Sequence, residues 1–379
     1  MRHLKTRSYL IAFLAFIAIL ALTLSACQKK AEVKGKKEEV IKIGAILPLT
    51  GDFSLFGGWL KDGIEYAINE SRLPIKVIYE DNMNKTASAV SAFKKLANID
   101  KVKAIITART PVANALTPLT LSSKVFTIFT FADLPKGDKT FILNYHFPVQ
   151  DEAATLAEFA YKKLGKKSAI IVVNDDFGIL GASCFKKRYT ELGGEVLNME
   201  SFSPKEKNFR SLLLKFKKAK IDAIFVIAYE QNFLALAKTM KEMKLDVPII
   251  GPNVLTVYLP LVKQYLPTSY FTMSLYDSGE TVNEKYKIFV SNYKATTGKE
   301  PNMVIAEAYE ATKILLEAIK QNSENLTEFF NNFTSYKGIF GTISIDDNRQ
   351  AHFPLVVMSI EKGEKKQIVW RYLPARIQK

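Results

Sequence analysis

Apolar and polar positions along this chain fall into blocks that switch between two periods. Ile41–Leu47 is a short apolar run with few polar breaks, the pattern of a parallel strand buried on both faces. It ends at Pro48, and Leu49–Gly58 supplies the turn residues Thr50, Gly51, Asp52, Ser54, Gly57 and Gly58, so a loop is predicted there. Beyond it Leu60, Ile64, Ala67 and Ile68 recur at helical spacing and leave Lys61, Asp62, Glu65 and Asn69 outward. Strand, polar loop and helix in that order open a βαβ unit. In such sheets ligands sit at the loops beyond the carboxyl ends of the strands.

The same alternation continues. Strands are predicted over Ile75–Tyr79, Val102–Thr107, Val125–Thr130 and Phe141–Phe147, with helical stripes at Ala87, Val90, Phe93 and Leu96 and over Ala113–Leu121. A second series follows, with strands Ala169–Val173, Glu195–Phe202, Ala223–Ile227, Pro248–Gly251 and Phe271–Ser274. Its helices are predicted around Ala153–Ala160, Leu180–Leu192, Phe209–Phe216 and Phe233–Met243. Each series is one doubly wound α/β half. Helices over Val282–Tyr293 and Asn302–Lys320 and strands over Gly338–Ile345, Pro354–Glu361 and Lys366–Tyr372 are too little for a third core. They are expected to complete the two halves, which gives several crossovers and hence a hinge.

The first forty residues change the picture of where the chain resides. Arg2, Lys5 and Arg7 precede an almost unbroken apolar run, Tyr9–Leu24, closed by Leu24-Ser25-Ala26-Cys27. This is the layout of a cleaved secretory signal, and the tetrapeptide resembles a bacterial lipobox, which implies lipid on Cys27. The competing reading is a transmembrane anchor, since the run is near the shortest spanning length of ~17 residues. Residues 27–40 are lysine-rich and read as a tether. The 379-residue chain carries a formal charge of +15, of which residues 1–26 hold three basic residues, leaving +12. That surplus suits an anionic lipid surface or cell envelope; the lysines are scattered rather than interleaved with aromatics, and an exported lipoprotein does not meet nucleic acid. With Cys27 acylated, Cys184 has no partner for a disulfide and reads as a small buried side chain.

Five or more segments in order then carry a resemblance: IKIGAILPLTGDFSLFGGWLKDGIEYAINE, VIYEDNMNKTASAVSAFKKLANIDKVKAIIT, AIIVVNDDFG, IDAIFVIAYE and IIGPN, with YKGIFGTISIDDNRQ near the end. From Ile41 to about Tyr372 the chain resembles the type 1 periplasmic-binding-protein solute receptors of the branched-chain amino acid ABC-transporter group. The resemblance implies two doubly wound Rossmann-like α/β lobes joined by a three-crossover hinge, lobe 1 being 41–148 plus 278–343 and lobe 2 being 149–277 plus 344–379. It also implies no catalysis, no cofactor, no metal and a monomer. Residue by residue, Phe56 falls where relatives place an aromatic against the ligand. Arg109-Thr110 falls where a serine or threonine pair holds the ligand carboxylate. Ala132 matches a position of backbone contacts, with Asp133 replacing a small or hydroxyl residue. Phe177 stands where a tyrosine is common, and Tyr229 matches an aromatic across the cleft. Asn253 stands where amino-acid binders carry a glutamate for the α-ammonium, so that clamp is incomplete.

Neutral Asn253 offers an ammonium only its carbonyl oxygen. Phe56, Phe177 and Tyr229 offer ring faces at ~0.5–2 kcal/mol each, and Asp133 or Glu230 offers a charge from another direction. Arg109 is suited to grip a carboxylate with its planar fork, or else to pair with an acid of its own lobe. The expected ligand is therefore a small carboxylate- or amide-bearing molecule, amino acid or not, in an aromatic-lined cleft. Enzyme signatures fail on context. Asp176-Phe177-Gly178 has no glycine-rich nucleotide loop, Ser91-Ala92-Phe93-Lys94 lies mid-helix without its companion motifs, and only His3, His146 and His352 exist. The expected role is a lipid-anchored extracytoplasmic solute receptor that closes on its ligand and delivers it to an ABC permease. The alternative is the same closure reporting to a membrane sensor.

Overall fold

Two parallel sheets follow from the two apolar series. The computed structural model describes residues 40–275, 283–321, 324–361 and 364–372. The signal, Cys27 and all of the tether but Val40 lie outside them, as does the loop that the sequence predicts at Tyr276–Gly279 after the strand Phe271–Ser274. The first sheet contains β1 (Ile41–Leu47), β2 (Ile75–Asp81), β3 (Ala104–Ala108), β4 (Phe126–Thr130) and β5 (Ile142–Tyr145) in the order β2-β1-β3-β4-β5, all parallel. Every residue of β3, β4 and β5 is buried, because helices cover both faces. The second sheet contains β6 (Lys167–Val173), β7 (Glu195–Phe202), β8 (Ala223–Ile227), β9 (Ile249–Gly251) and β10 (Ser269–Ser274), parallel from β7 to β10 in the order β7-β6-β8-β9-β10.

Three crossovers join the layers. The first runs from β5 into the helix Val149–Lys163. The second leaves β10 for the helices Glu284–Thr297 and Met303–Gln321, the latter packing along the helix Ser54–Ser71 of the first sheet. The third passes through β11 (Ser335–Gly338), β12 (Gly341–Ile345) and β13 (Ala351–His352). The chain then adds the antiparallel strands β14 (Leu355–Glu361) and β15 (Glu364–Tyr372) to the second sheet. The single strand expected over Gly338–Ile345 is a hairpin instead, with Gly338 paired to Gly341 across a two-residue turn. Its apolar alternation continues through Ile339 and Phe340, which are buried, and this hides the reversal. The loop expected over Leu49–Gly58 is also shorter. A 3₁₀ turn over Gly51–Phe53 feeds a helix that starts at Ser54. Gly57 is there for close approach, since a Cβ on it would lie 2.1 Å from the Pro48 carbonyl oxygen.

Polar groups fasten the crossovers internally. Asn144 donates to Ala132 O (2.8 Å) and to Gln350 Oε1 (2.7 Å), and Gln350 donates to His146 O (2.9 Å). Buried Glu310 accepts from the Tyr145 hydroxyl and from the Ile339 amide, and burial pushes its pKa up to about 7. His352 sits between two carboxylates, Nδ1 at 3.1 Å from Asp151 and Nε2 at 3.4 Å from Asp346. A neutral imidazole carries one N–H, so only the imidazolium satisfies both. The hydrogen bond to Asp151 is the main cause of a raised His352 pKa, and Asp346 adds to it. The bridge is therefore fully formed below the unfolded value of about 6.5 and is lost as pH rises through the higher folded value. His352→Gln is expected to lower Tm more at pH 5.5 than at pH 8.5, measured by thermal unfolding of both proteins at both pH values. An equal loss at the two would show that the contact carries no charge.

Candidate functional site

The site forms where the carboxyl ends of strands from both sheets meet. Past β1 the loop is pinned by Asp81 at the end of β2, which accepts from the Leu49 amide (2.9 Å), the Thr50 hydroxyl (2.5 Å) and the Met83 amide (2.8 Å). This places Phe53 and Phe56. β3 ends in Arg109 and Thr110, β4 in Phe131, β6 leads to Asp175 and Phe177, and β8 leads to Tyr229. Past β9 come Asn253, Val254 and Tyr258, and the first crossover supplies His146. Phe56, Arg109, Thr110, Phe131, His146, Phe177, Tyr229, Val254 and Tyr258 line one inner cavity of about 20 Å³, room for one water-sized molecule. Phe56, Tyr229 and Tyr258 also border an outer groove of about 670 Å³, rimmed by Phe53, Lys85, Lys205 and Glu230.

Arg109 is the centre of this arrangement. Its Cζ lies 4.2 Å from the Phe53 ring and 4.2 Å from the Tyr229 ring, two cation–π contacts with rings that meet edge-on, their centroids 5.2 Å apart. Its Nη2 is 3.5 Å from Asp175 Oδ2, an oxygen that also accepts the Tyr229 hydroxyl at 2.6 Å. Asp175 Oδ1 accepts the Gly178 amide (2.9 Å) and so caps the helix Asp176–Glu191. The acid that pairs with Arg109 thus stands on the second-sheet side, not in the arginine's own half. Asn114 makes a second bond in the same direction, donating to Asp176 Oδ2 at 2.7 Å. The backbone here is strained: Arg109 has φ +84°, ψ +129° and Phe131 has φ +45°, conformations that non-glycine residues hold only when their surroundings force them.

Of the residues expected from sequence, Phe56, Arg109, Thr110, Phe177 and Tyr229 reach the cavity wall. Ala132, Asp133 and Asn253 are fully buried and do not line it. Asp133 exchanges bonds with Thr110, its amide donating to Oγ1 (3.0 Å), and its Oδ1 accepts the Val149 amide (2.9 Å), anchoring the helix that starts the second half. Burial pushes its pKa up to about 6. The Asn253 amide N–H donates to Glu152 Oε1 (2.8 Å), which also accepts the Thr272 hydroxyl (2.5 Å). Neither polar atom of the Asn253 side chain, nor Glu152 Oε2, has a partner, and burial lifts the Glu152 pKa to about 7. Glu230 faces the outer groove.

Sequence reasoning missed Asp175 as a site residue, although an aspartate before an apolar helix is a legible cap signal. It also missed Phe53, Phe131, His146, Val254 and Tyr258. His146 Nδ1 is 2.9 Å from Glu307, which accepts the Phe131 amide as well (3.0 Å). Burial alone lowers the His146 pKa, but the charge and hydrogen bond of Glu307 outweigh it and raise the value. Those two residues are 161 positions apart, and nothing local signals their pairing. Among the described residues no three His, Cys, Asp or Glu side chains are grouped to hold a metal.

The family model for periplasmic binding proteins matches residues 40–365. The chain belongs to that family. This binding protein is 27% identical over 225 residues to a Leu/Ile/Val-binding protein of Rhizobium johnstonii, covering 56% of this chain and 60% of that one. A Leu/Ile/Val-binding protein homologue of Brucella melitensis is 24% identical over the same shares, so the chain spans 60% of the length of these curated relatives. A leucine-binding protein of Thermotoga maritima superposes with a TM-score of 0.79 at 24% identity, over 89% of this chain and all of that one. A branched-chain amino acid transporter substrate-binding protein of Streptococcus pneumoniae, solved with isoleucine, gives 0.80 at 22% over the same shares. A solute-binding protein of Rhodopseudomonas palustris, solved with 3,4-dihydroxybenzoic acid, gives 0.73 at 22%, over 88% and 97%. The fold of this binding protein is that of the type 1 receptors. Among its described residues no helix is long and apolar enough to cross a membrane.

Proposed function

We propose that this binding protein is the non-enzymatic, extracytoplasmic receptor of an ABC transporter, capturing a small polar ligand by hinge closure and handing it to a membrane permease. Lobe 1 is assigned to 41–148 plus 278–343 and lobe 2 to 149–277 plus 344–379, with Cys27 as a lipid anchor. The observation that carries the reading is Arg109, a first-sheet residue whose guanidinium meets Tyr229 and Asp175 of the second sheet at the wall of one cavity. A ligand touching both sides binds the closed arrangement better than the open one, and by that difference shifts the population towards it. In this role Arg109 holds the ligand's carboxylate or amide oxygen, and Phe56, Phe177 and Tyr229 enclose its apolar part. The ligands of the similar proteins, branched-chain amino acids and a dihydroxybenzoate, fit that description.

A thermal-shift screen tests it, using protein in which Cys27→Ala prevents acylation. The panel holds amino acids, aromatic and aliphatic carboxylates, amides, urea and polyamines. A ligand at 100 times its Kd is expected to stabilise the fold by ~2.7 kcal/mol. A panel without any stabilising compound would count against a solute receptor.

A further inference from the structure

We infer that Asp175 is a specificity-determining residue, which with Arg109 forms a paired anion–cation corner selecting ligands that carry an ammonium beside their carboxylate. This rests on the solute-receptor reading and assigns the ammonium partner within it: the Asp175 carboxylate touches two residues of the cavity wall, Arg109 and Tyr229. Charge balance at the wall favours a zwitterion. Arg109 is paired with Asp175, and the wall histidine, His146, is paired with Glu307. The wall is therefore already neutral. A plain carboxylate brings an uncompensated negative charge into a closed site, whereas a zwitterion brings none.

The geometry of the pair favours one as well. Arg109 reaches Asp175 through one long contact of 3.5 Å, so the fork remains able to turn to a ligand carboxylate. The Asp175 carboxylate is held in place without Arg109, by the Gly178 amide at one oxygen and the Tyr229 hydroxyl at the other. A carboxylate has about four acceptor positions. The pair can therefore open and re-form as a four-charge ring, with ligand carboxylate on Arg109 and ligand ammonium on Asp175, beside the Tyr229 ring.

The test compares ligand pairs differing only in the ammonium: L-leucine against 4-methylpentanoate, and L-phenylalanine against 3-phenylpropanoate. Each is titrated calorimetrically into the full-length protein and its Asp175→Asn and Asp175→Glu variants. Asparagine is an equally good helix cap, so D175N keeps the fold. The wild type is expected to prefer the amino member of at least one pair by 10-fold or more. D175N should reduce that preference below about 3-fold by weakening the amino member, and D175E should restore part of it. A preference unchanged in D175N overturns the assignment. So does tighter binding of the des-amino member by the wild type, or binding of neither member, and in those cases the receptor reading stands or falls separately on the wider screen.

Discussion

Arg109→Ala is expected to weaken binding of the screened ligand about 30- to 1,000-fold. One charge-assisted, two-pronged contact to a carboxylate contributes ~2–4 kcal/mol, and every 1.4 kcal/mol is a tenfold change in affinity. Arg109→Lys should recover little of the loss, because an ammonium has neither the planar group that contacts Phe53 and Tyr229 nor the fork that meets two oxygens. The fold is expected to survive, since Asp175 keeps Tyr229 and Gly178 as partners. Calorimetric titration of wild type, alanine and lysine proteins checks this. Unchanged affinity in the alanine protein would remove Arg109 from the ligand site and leave it as a tie between the two sheets.

The largest effect on stability is expected at Gly63. This residue marks the closest approach of the helix Ser54–Ser71 to the returning helix Met303–Gln321. A Cβ placed on it would lie 2.4 Å from the Ile305 carbonyl oxygen and 2.9 Å from the Ala308 Cβ. It would also lie 3.0 Å from the Tyr309 nitrogen, and two of these three neighbours are backbone, which cannot rotate away as a side-chain tip does. Gly63→Val is expected to lose about 3 kcal/mol, and Gly63→Ala less, by forcing the helices apart. Urea unfolding of the three proteins measures it. Because this seam holds the second crossover to the first sheet, the valine protein should also bind ligand more weakly.

Some of the molecule is legible in single segments. β1 and β8 have the bounds that apolar runs and turn residues predict, since a strand covered on both faces must be apolar throughout; β7, at the edge of its sheet and largely uncovered, has its expected bounds as well. The helix starting at Ser54 was not legible, because two glycines read as turn residues when one of them admits the Pro48 carbonyl instead. The hairpin at Gly338–Gly341 was hidden for the converse reason: its turn residues Ile339 and Phe340 are buried and apolar. For the site, five of the residues offered by strand-end loops lie on one cavity wall.

The sequence by itself determined the α/β class, the two series of parallel strands and the strand-end loops that carry the polar and aromatic residues. These follow from local periodicity, which each segment expresses alone. Tertiary structure decided which of those residues meet. Asp133 and Asn253 are as polar as Arg109 on paper, but one ties a helix start and the other turns its backbone to Glu152. Asp175, outwardly a helix cap, becomes the partner of an arginine 66 residues away. Such pairings depend on how the two sheets approach one another, and no local pattern encodes that approach.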